Sequence, residues 1–217
     1  KAFNRQETPF LHKLITHEKY TFHPLYTGVP STTPAVQGEL FYGVKHIVPA
    51  FYYFDRTANR PFKMLEWKSV EEIERRLQKQ GKGLLEGGSS YSNIYAGGAK
   101  ETHFGAASLG LSKIWRKVNP FRLVLLIVVH LVTFIRMICL SAWEILLGLI
   151  DFLKGVWKKE NLWIEFKFIF LRVSICVILR ELITLGARID IARGLPIIHL
   201  NFFGYDEHAH HRGPSSM

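Results

Sequence analysis

The sequence is poor in cysteine, and it lacks the glycine motifs that bind nucleotides. Its two cysteines, Cys139 and Cys176, lie in apolar segments and have neither metal-ligand spacing nor a disulfide framework. We predict that both are small buried hydrophobic residues. The glycines from Gly81 to Gly98 lack the spacing of a P-loop or a dinucleotide fingerprint, so a flexible loop is expected there.

Acidic residues are also scarce, since 28 Lys and Arg residues face 18 Asp and Glu residues and the formal net charge is +10. Such a balance suits nucleic acid, anionic lipid or a phosphorylated ligand. Basic residues such as Arg122 and Lys154 flank an apolar run, which favours anionic lipid head groups. No nucleic-acid-binding signature accompanies them. We therefore expect membrane lipid as a partner and no nucleic acid, and no protein partner is identifiable.

The chain starts at Lys1 without a methionine or a signal peptide. Both ends look cut, and we expect a fragment of a longer protein.

The first 110 residues have the pattern of an α/β domain. A Thr8-Pro9 start predicts a helix over the next residues, and Ser69 with Glu72 predicts a capped amphipathic helix. The other elements expected here are a strand from Tyr20 to Leu25, a helix from Ala35 to Tyr42 and a strand from Val48 to Phe54.

Two apolar stretches follow. Leu123 to Ile150 is almost wholly apolar, and as a helix it would be roughly 42 Å long, compared with about 30 Å for a bilayer core. Trp163 to Leu185 carries charges, among them Glu165 and Arg172 on one helical face, and is predicted to be more interfacial than spanning. We expect membrane association, with the side of the membrane unknown. The alternative is a soluble helical hairpin packed on the α/β domain.

The last segment has the composition of a metal site. A predicted strand from Pro196 to Phe203 leads into a loop with Asp206 and His210, a carboxylate and an imidazole that can close on one divalent ion if the loop forms a single turn. Neighbouring Glu207, His208 and His211 raise the density of ligands. The alternative is a solvated, tag-like histidine-rich tail.

A hydroxyl-rich turn between Pro30 and Pro34 contains the candidate nucleophile, Thr33. A hydroxyl is a weak nucleophile at neutral pH and needs a base or a metal ion to ionise it. Ser31 and Thr32 are rivals on composition, and an ordinary Ser/Thr turn is the alternative interpretation.

Three motifs occur in order along the chain: Thr8-Pro-Phe-Leu-His-Lys-Leu, then Pro30-Ser-Thr-Thr-Pro34, then Asp206-x-x-Ala-His210-x-x-Gly-Pro214. Together they resemble the type I phosphodiesterase / nucleotide pyrophosphatase branch of the alkaline phosphatase superfamily. The resemblance covers about residues 8–105 and 188–214 and leaves out the hydrophobic stretch. Ala209 stands where that family usually has glycine, and Val36 where many nucleotide-cleaving members have asparagine.

The resemblance implies a zinc-dependent phosphodiesterase or phosphatase with a phosphoester substrate and two divalent metal ions. Thr33 takes the role of nucleophile, and Asp206 and His210 take the role of ligands to one zinc. The remaining ligands of that family would lie outside this chain. The implied fold is an alkaline phosphatase-like α/β core with a mixed sheet, present in part and interrupted by a hydrophobic two-helix insertion.

The expected organisation has three parts. Residues 1–112 form the N-terminal part of the catalytic domain, 113–193 the hydrophobic helical insertion, and 194–217 the return strand and metal-binding loop. Two other functions stay open: a membrane-anchored phospho-group transferase of the same superfamily, and a non-catalytic membrane protein.

Overall fold

The computed structural model describes residues 7–24, 26–106, 120–157, 162–204, 206, 209, 210 and 213. The chain divides into two compact units, Lys1–Ser31 and Thr32–Met217. The first unit contains α1 (Pro9–Thr16), which confirms the helix predicted after the Thr8-Pro9 start. The strand predicted from Tyr20 is wrong, because residues 20–24 are irregular; Leu25 lies outside the described residues.

The second unit is mixed α/β, as predicted. Its helices are α2 (Thr33–Tyr42), α3 (Trp67–Gln78), α4 (Pro120–Val129), α5 (Leu131–Trp157), α6 (Leu162–Arg172) and α7 (Arg180–Ala192), and a π-helical segment (Val173–Leu179) joins α6 to α7. Its strands are β1 (Tyr52–Asp55), β2 (Arg60–Lys63), β3 (Ser89–Tyr91), β4 (Glu101–His103) and β5 (Ile198–Leu200).

The strands form two small sheets. β1 and β2 pair as an antiparallel hairpin. β3 is the centre of a parallel sheet in the order β4-β3-β5, in which Ser90 is opposite both Thr102 and His199. The apolar helices are therefore inserted along the chain between two strands of one sheet.

The hydrophobic core is built by α2 and α3 together with residues of β2 and of the connecting segments. α3 buries Val70, Ile73 and Leu77, which confirms its predicted apolar face. The predicted cap is wrong, however: α3 begins two residues before Ser69, and the Ser69 hydroxyl instead accepts a hydrogen bond from the Lys63 amide at 3.3 Å. The core comprises Phe41, Tyr42, Val48, Phe62, Met64, Val70, Ile73, Leu77, Leu85, Ile94, Tyr95 and Ala106.

The first apolar stretch is not one helix, because the chain turns at His130 between α4 and α5. α5 has the length and composition of a membrane-crossing helix, the one such helix found within the described ranges. Cys139 was predicted to be buried and is exposed on α5, whereas Cys176 is half-buried.

Candidate active site

Thr33 is the first residue of α2, and Thr32 precedes it in an extended conformation. The Val36 amide donates to the Thr32 carbonyl at 3.0 Å, which starts the helix, and Pro34 in the first turn has no amide proton that would need a partner. Thr33 is half-buried. A hydroxyl side chain therefore lies at the positive end of a helix, where backbone amides favour negative charge.

A buried amide network holds α2 against the sheet. The Gln37 side chain accepts a hydrogen bond from the Ile94 amide at 2.8 Å and donates to the Asn93 side chain at 3.4 Å. Asn93 in turn donates to the Ser90 hydroxyl at 2.8 Å and to the His199 carbonyl at 3.4 Å. These bonds fix α2 just beyond the carboxyl ends of β3 and β5.

This network determines where α2 begins relative to the sheet. Residues four apart share a helix face, so Thr33 lies on the face of Gln37, one turn closer to the start of the helix. That face adjoins the carboxyl ends of parallel strands, where ligands bind in open α/β sheets.

Polar atoms without hydrogen-bond partners occur at this edge and also elsewhere in the described residues, for example at Ser89 and Tyr53. Buried atoms with no hydrogen-bond partner among the described residues include the Ser92 hydroxyl, the Thr32 hydroxyl and Nδ1 of His199. Ser92 directly follows β3 and has a left-handed φ of 54°, a conformation that costs energy for a non-glycine residue. Unpaired buried polar groups are rare in folded proteins, and the Ser92 hydroxyl at the end of β3 is one that a polar ligand can satisfy.

His199 lies on β5 with its ring edge-on to Phe41, at 4.8 Å between ring centroids. Burial lowers the pKa of His199, because removal from water disfavours the imidazolium. The neutral imidazole is the form that binds a metal ion or accepts a proton. Neither His199 nor Ser92 was predicted as a site residue from the sequence. The available signal was a histidine within the strand that leads to Asp206.

Asp206 and His210 lie on one short turn after β5. Nε2 of His210 is 3.5 Å from an Asp206 carboxylate oxygen, and both side chains are mostly exposed. The backbone of Gly204, Asp206, Ala209 and His210 is helical, so the two residues share a face as the predicted single turn requires.

This pair supplies two mixed oxygen and nitrogen ligands of the kind that zinc accepts. It fits a divalent ion as part of a ligand set, and no group of three ligands is found in the described part of the chain. Glu207, His208 and His211 lie outside it. No hydrogen bond or ion pair of the described residues joins Thr33 to Asp206 or His210, so their common site remains a prediction.

The glycine-rich stretch is mostly irregular, as predicted, but it is not a simple flexible loop. It contains β3, and the residues from Ser89 to Tyr95 are all buried. Gly88 packs against backbone: a Cβ there would lie only 2.0 Å from the Ile197 carbonyl oxygen. Glycine is needed here for the close approach of two chain segments rather than for flexibility.

A concavity of about 300 Å³ lies between the parallel sheet, α4 and α7. Its polar groups already have partners. Arg193 donates to Glu101 at 2.6 Å and to Asp190 at 2.8 Å, and the Tyr91 hydroxyl donates to Asp190 at 2.6 Å. The cavity wall is otherwise apolar, with Leu126 and Leu185 among its residues. We therefore do not place phosphoester chemistry there.

Comparisons with protein-family models, with curated proteins and with solved structures give no match to this chain.

Proposed function

We propose that this chain carries part of the active site of a metal-dependent phosphoester hydrolase that works at a membrane. Thr33 is the nucleophile, and Asp206 and His210 hold one of two divalent ions, for which zinc is the best candidate. The core would be a partial alkaline phosphatase-like fold. One observation supports the proposal most: the Gln37–Asn93 network ties the helix that starts at Thr33 to the same sheet edge from which β5 continues towards Asp206.

The chemistry follows from the residues at that edge. A divalent ion bound there would lower the pKa of the Thr33 hydroxyl and neutralise charge on the transferring phosphoryl group. The Thr33 oxygen attacks phosphorus, the ester alcohol leaves with its electron pair and is protonated, and a phosphothreonine forms. Water then attacks that phosphorus and releases phosphate, or a monoester if the substrate was a diester, together with the free threonine.

The first amides of α2 contribute to this step. They carry partial positive charge, which stabilises negative charge on the phosphoryl oxygens. The unpaired Ser92 hydroxyl and the neutral His199 are further candidates to contact the substrate along this edge.

The decisive experiment compares threonine variants. Assayed with zinc in a preparation that supplies the whole active site, the protein is expected to hydrolyse bis(4-nitrophenyl) phosphate, and Thr33→Ala to reduce the rate by more than about a hundredfold because the nucleophile is lost. Thr32→Ala is the matched control, since it removes a neighbouring hydroxyl, and it should change the rate only a few-fold.

Metal binding gives a second measurement on the same protein. Asp206→Asn and His210→Gln should each weaken zinc uptake in equilibrium dialysis, whereas His12→Gln, a histidine variant on α1, should not. Full zinc uptake by both variants, or an undiminished rate for Thr33→Ala, contradicts the proposal. Transfer of phosphate to an added alcohol in preference to water would assign the chain to the transferases instead.

A further inference from the structure

The hydrophobic helices form an antiparallel pair. Glu144 on α5 accepts a hydrogen bond from Arg172 at the end of α6 at 2.8 Å, and Arg136 near the start of α5 pairs with Glu181 at the start of α7. One turn further along α5 than Glu144, a Cβ on Gly148 would lie 3.0 Å from the Ile169 side chain of α6. Residues with higher numbers on α5 contact residues with lower numbers on the returning helix, so the two run antiparallel. We call this pair the hairpin; it consists of α5 packed against α6, the π-helical segment and the start of α7.

The interior of the hairpin combines polar residues with buried apolar ones such as Phe168 and Ile169, whereas its outer surface is apolar. The less exposed stripe of α5 contains Ser141, Glu144, Gly148 and Asp151, which recur at helical spacing and face the returning helix. In a water-soluble helix the apolar stripe is the buried one, so this arrangement is inverted. Small residues and paired charges between helices are typical of proteins surrounded by lipid.

The outer face of the hairpin is almost uninterrupted hydrocarbon. Large apolar side chains that are at least 39% exposed on α5 and α6 are Leu131, Val132, Ile135, Ile138, Trp143, Ile145, Leu146, Leu149, Ile150, Leu153, Val156, Trp157, Leu162, Trp163, Ile164, Phe166, Phe170 and Leu171. Soluble monomers rarely expose so large a continuous apolar surface.

The charges inside the hairpin are neutralised locally. Arg172 has a side chain that is 10% exposed and contacts two carboxylates of α5, since it donates to Asp151 at 2.9 Å as well as to Glu144. An unpaired charge at this depth would be costly in hydrocarbon, but a hydrogen-bonded cluster between helices is the arrangement in which membrane segments tolerate charge.

The polar markers on the hairpin are separated by the thickness of a bilayer core. Arg136 and Glu181 mark one end, and Trp157 and Trp163 mark the other. From Arg136 to Trp157 a helix rises about 32 Å, which matches a hydrocarbon core of about 30 Å. Tryptophan is enriched at membrane interfaces, and Lys167 extends towards the Trp163 ring, 4.9 Å from its centroid, as a lysine that reaches for that interface would.

We propose that this hairpin crosses a lipid bilayer completely, as two antiparallel spans, so that the sheets lie on one side of the membrane and the connection between α5 and α6 on the other. The second apolar stretch then spans the bilayer and does not lie in its interface. The proposal is independent of the hydrolase chemistry, because it uses none of the candidate active-site residues.

A double-cysteine variant tests the topology. The background is Cys139→Ser, Cys176→Ser. Lys100→Cys is at an exposed position directly before β4, and Glu160→Cys falls, by sequence, between α5 and α6. The chain is reconstituted into sealed vesicles of phosphatidylcholine and phosphatidylglycerol and treated with a membrane-impermeant maleimide, and the labels on each molecule are counted by mass spectrometry.

A spanning hairpin predicts molecules with one label before the vesicles are opened and two labels afterwards, whichever way each molecule is oriented. A hairpin that lies in the interface gives molecules with two labels or none before lysis, and that result overturns the proposal. A chain that does not float with the vesicles, because a second copy or a soluble partner covers the apolar face, also overturns it.

A charge placed on the outer face provides a test that does not depend on labelling. Leu146→Asp puts a carboxylate at mid-span, where it should reduce the vesicle-bound fraction that survives an alkaline wash by about tenfold or more. Leu65→Asp is the matched control, because Leu65 is an exposed leucine between β2 and α3, away from the hairpin. Equal retention of both variants contradicts the proposal.

Discussion

Among single residues, Glu74 shows how this fold accommodates a buried carboxylate. It lies on α3, 7% exposed, and one of its oxygens accepts hydrogen bonds from the Tyr42 hydroxyl at 2.6 Å and from the Gly97 amide at 2.9 Å. Desolvation by burial is the main reason that its pKa is raised. The two bonds tie α2, α3 and the glycine-rich stretch together at one atom.

The raised pKa of Glu74 has a defined effect on stability. The folded state binds this proton more tightly than the unfolded state, so the contribution is present at acidic pH and is lost as the pH rises through the folded pKa. Glu74→Gln keeps an acceptor oxygen without the charge. We expect its free energy of unfolding, relative to the wild type, to increase with pH above the ordinary carboxyl pKa.

Urea unfolding over a pH series measures this difference. Glu71→Gln, at an exposed position on the same helix, is the control and should show no such trend. Glu74→Leu should instead lose about 1–3 kcal/mol, because it leaves the Tyr42 hydroxyl and the Gly97 amide without their acceptor. If the difference in free energy of unfolding between Glu74→Gln and the wild type is constant with pH, Glu74 does not contribute to the pH dependence of stability.

At the scale of elements, the contact between α5 and α6 depends on a glycine. A Cβ at Gly148 would meet two atoms of Ile169 at 3.0 and 3.1 Å, which is closer than side chains normally pack. Small residues allow helices to approach closely, and this contact lies beside the cluster of Arg172 with Glu144.

Gly148→Val should therefore separate the two helices. We expect a loss of about 1–3 kcal/mol through overpacking, measured as a lower unfolding temperature in detergent. Ala142→Val adds similar bulk to the exposed side of α5 and should leave the unfolding temperature nearly unchanged. Equal effects of the two substitutions would mean that α5 and α6 do not pack as described.

The elements differ in how far they could be predicted. α1, α2 and α3 follow from local signals that no distant contact overrides: a proline start or an apolar face at helical spacing. β3 was missed because Ser-Ser-Tyr in a glycine-rich stretch has no strand signal of its own. Its backbone is extended only because the nearby β4 and the sequence-remote β5 pair with it on both sides.

At the scale of the whole second unit, a polar seam joins the hydrophobic helices to the parallel sheet. The Tyr91 hydroxyl at the end of β3 donates to Asp190 of α7 at 2.6 Å, and Asp190 is 2% exposed. Arg193 follows α7 and forms two hydrogen bonds to the Glu101 carboxylate on β4, at 2.6 and 2.9 Å. The seam fixes the end of the hairpin on the sheet.

Tyr91→Phe removes one bond of this seam and leaves a buried carboxylate oxygen short of a donor. We expect a loss of about 1–3 kcal/mol in the free energy of unfolding, measured with urea in detergent. Tyr52→Phe is the control, since Tyr52 is 63% exposed. A Tyr91→Phe variant with the same free energy of unfolding as the wild type would show that the seam does not couple the helices to the sheet.

Acid should weaken the same seam. The Arg193 guanidinium lowers the pKa of Glu101 to about 2. A lowered pKa contributes stability that is present above the ordinary carboxyl pKa and is lost as the pH falls towards 2. The ion pair of Arg193 with Glu101 is thus lost over the acidic range in which protonated Glu74 stabilises the fold. Glu101→Gln should remove the acid-sensitive part of the free energy of unfolding that comes from the seam.

By itself the sequence determined the local features of this protein: the amphipathic helices, the apolar stretches and the helical turn that brings Asp206 and His210 to 3.5 Å, because each depends on residues a few positions apart. Only the tertiary structure decided which side of α5 faces the returning helix, which strand is central, and that Gln37 and Asn93 tie the Thr33 helix to the carboxyl edge of the sheet. These features depend on pairs of residues far apart in the chain, such as Gln37 with Asn93 and Arg136 with Glu181, and no local pattern encodes such contacts.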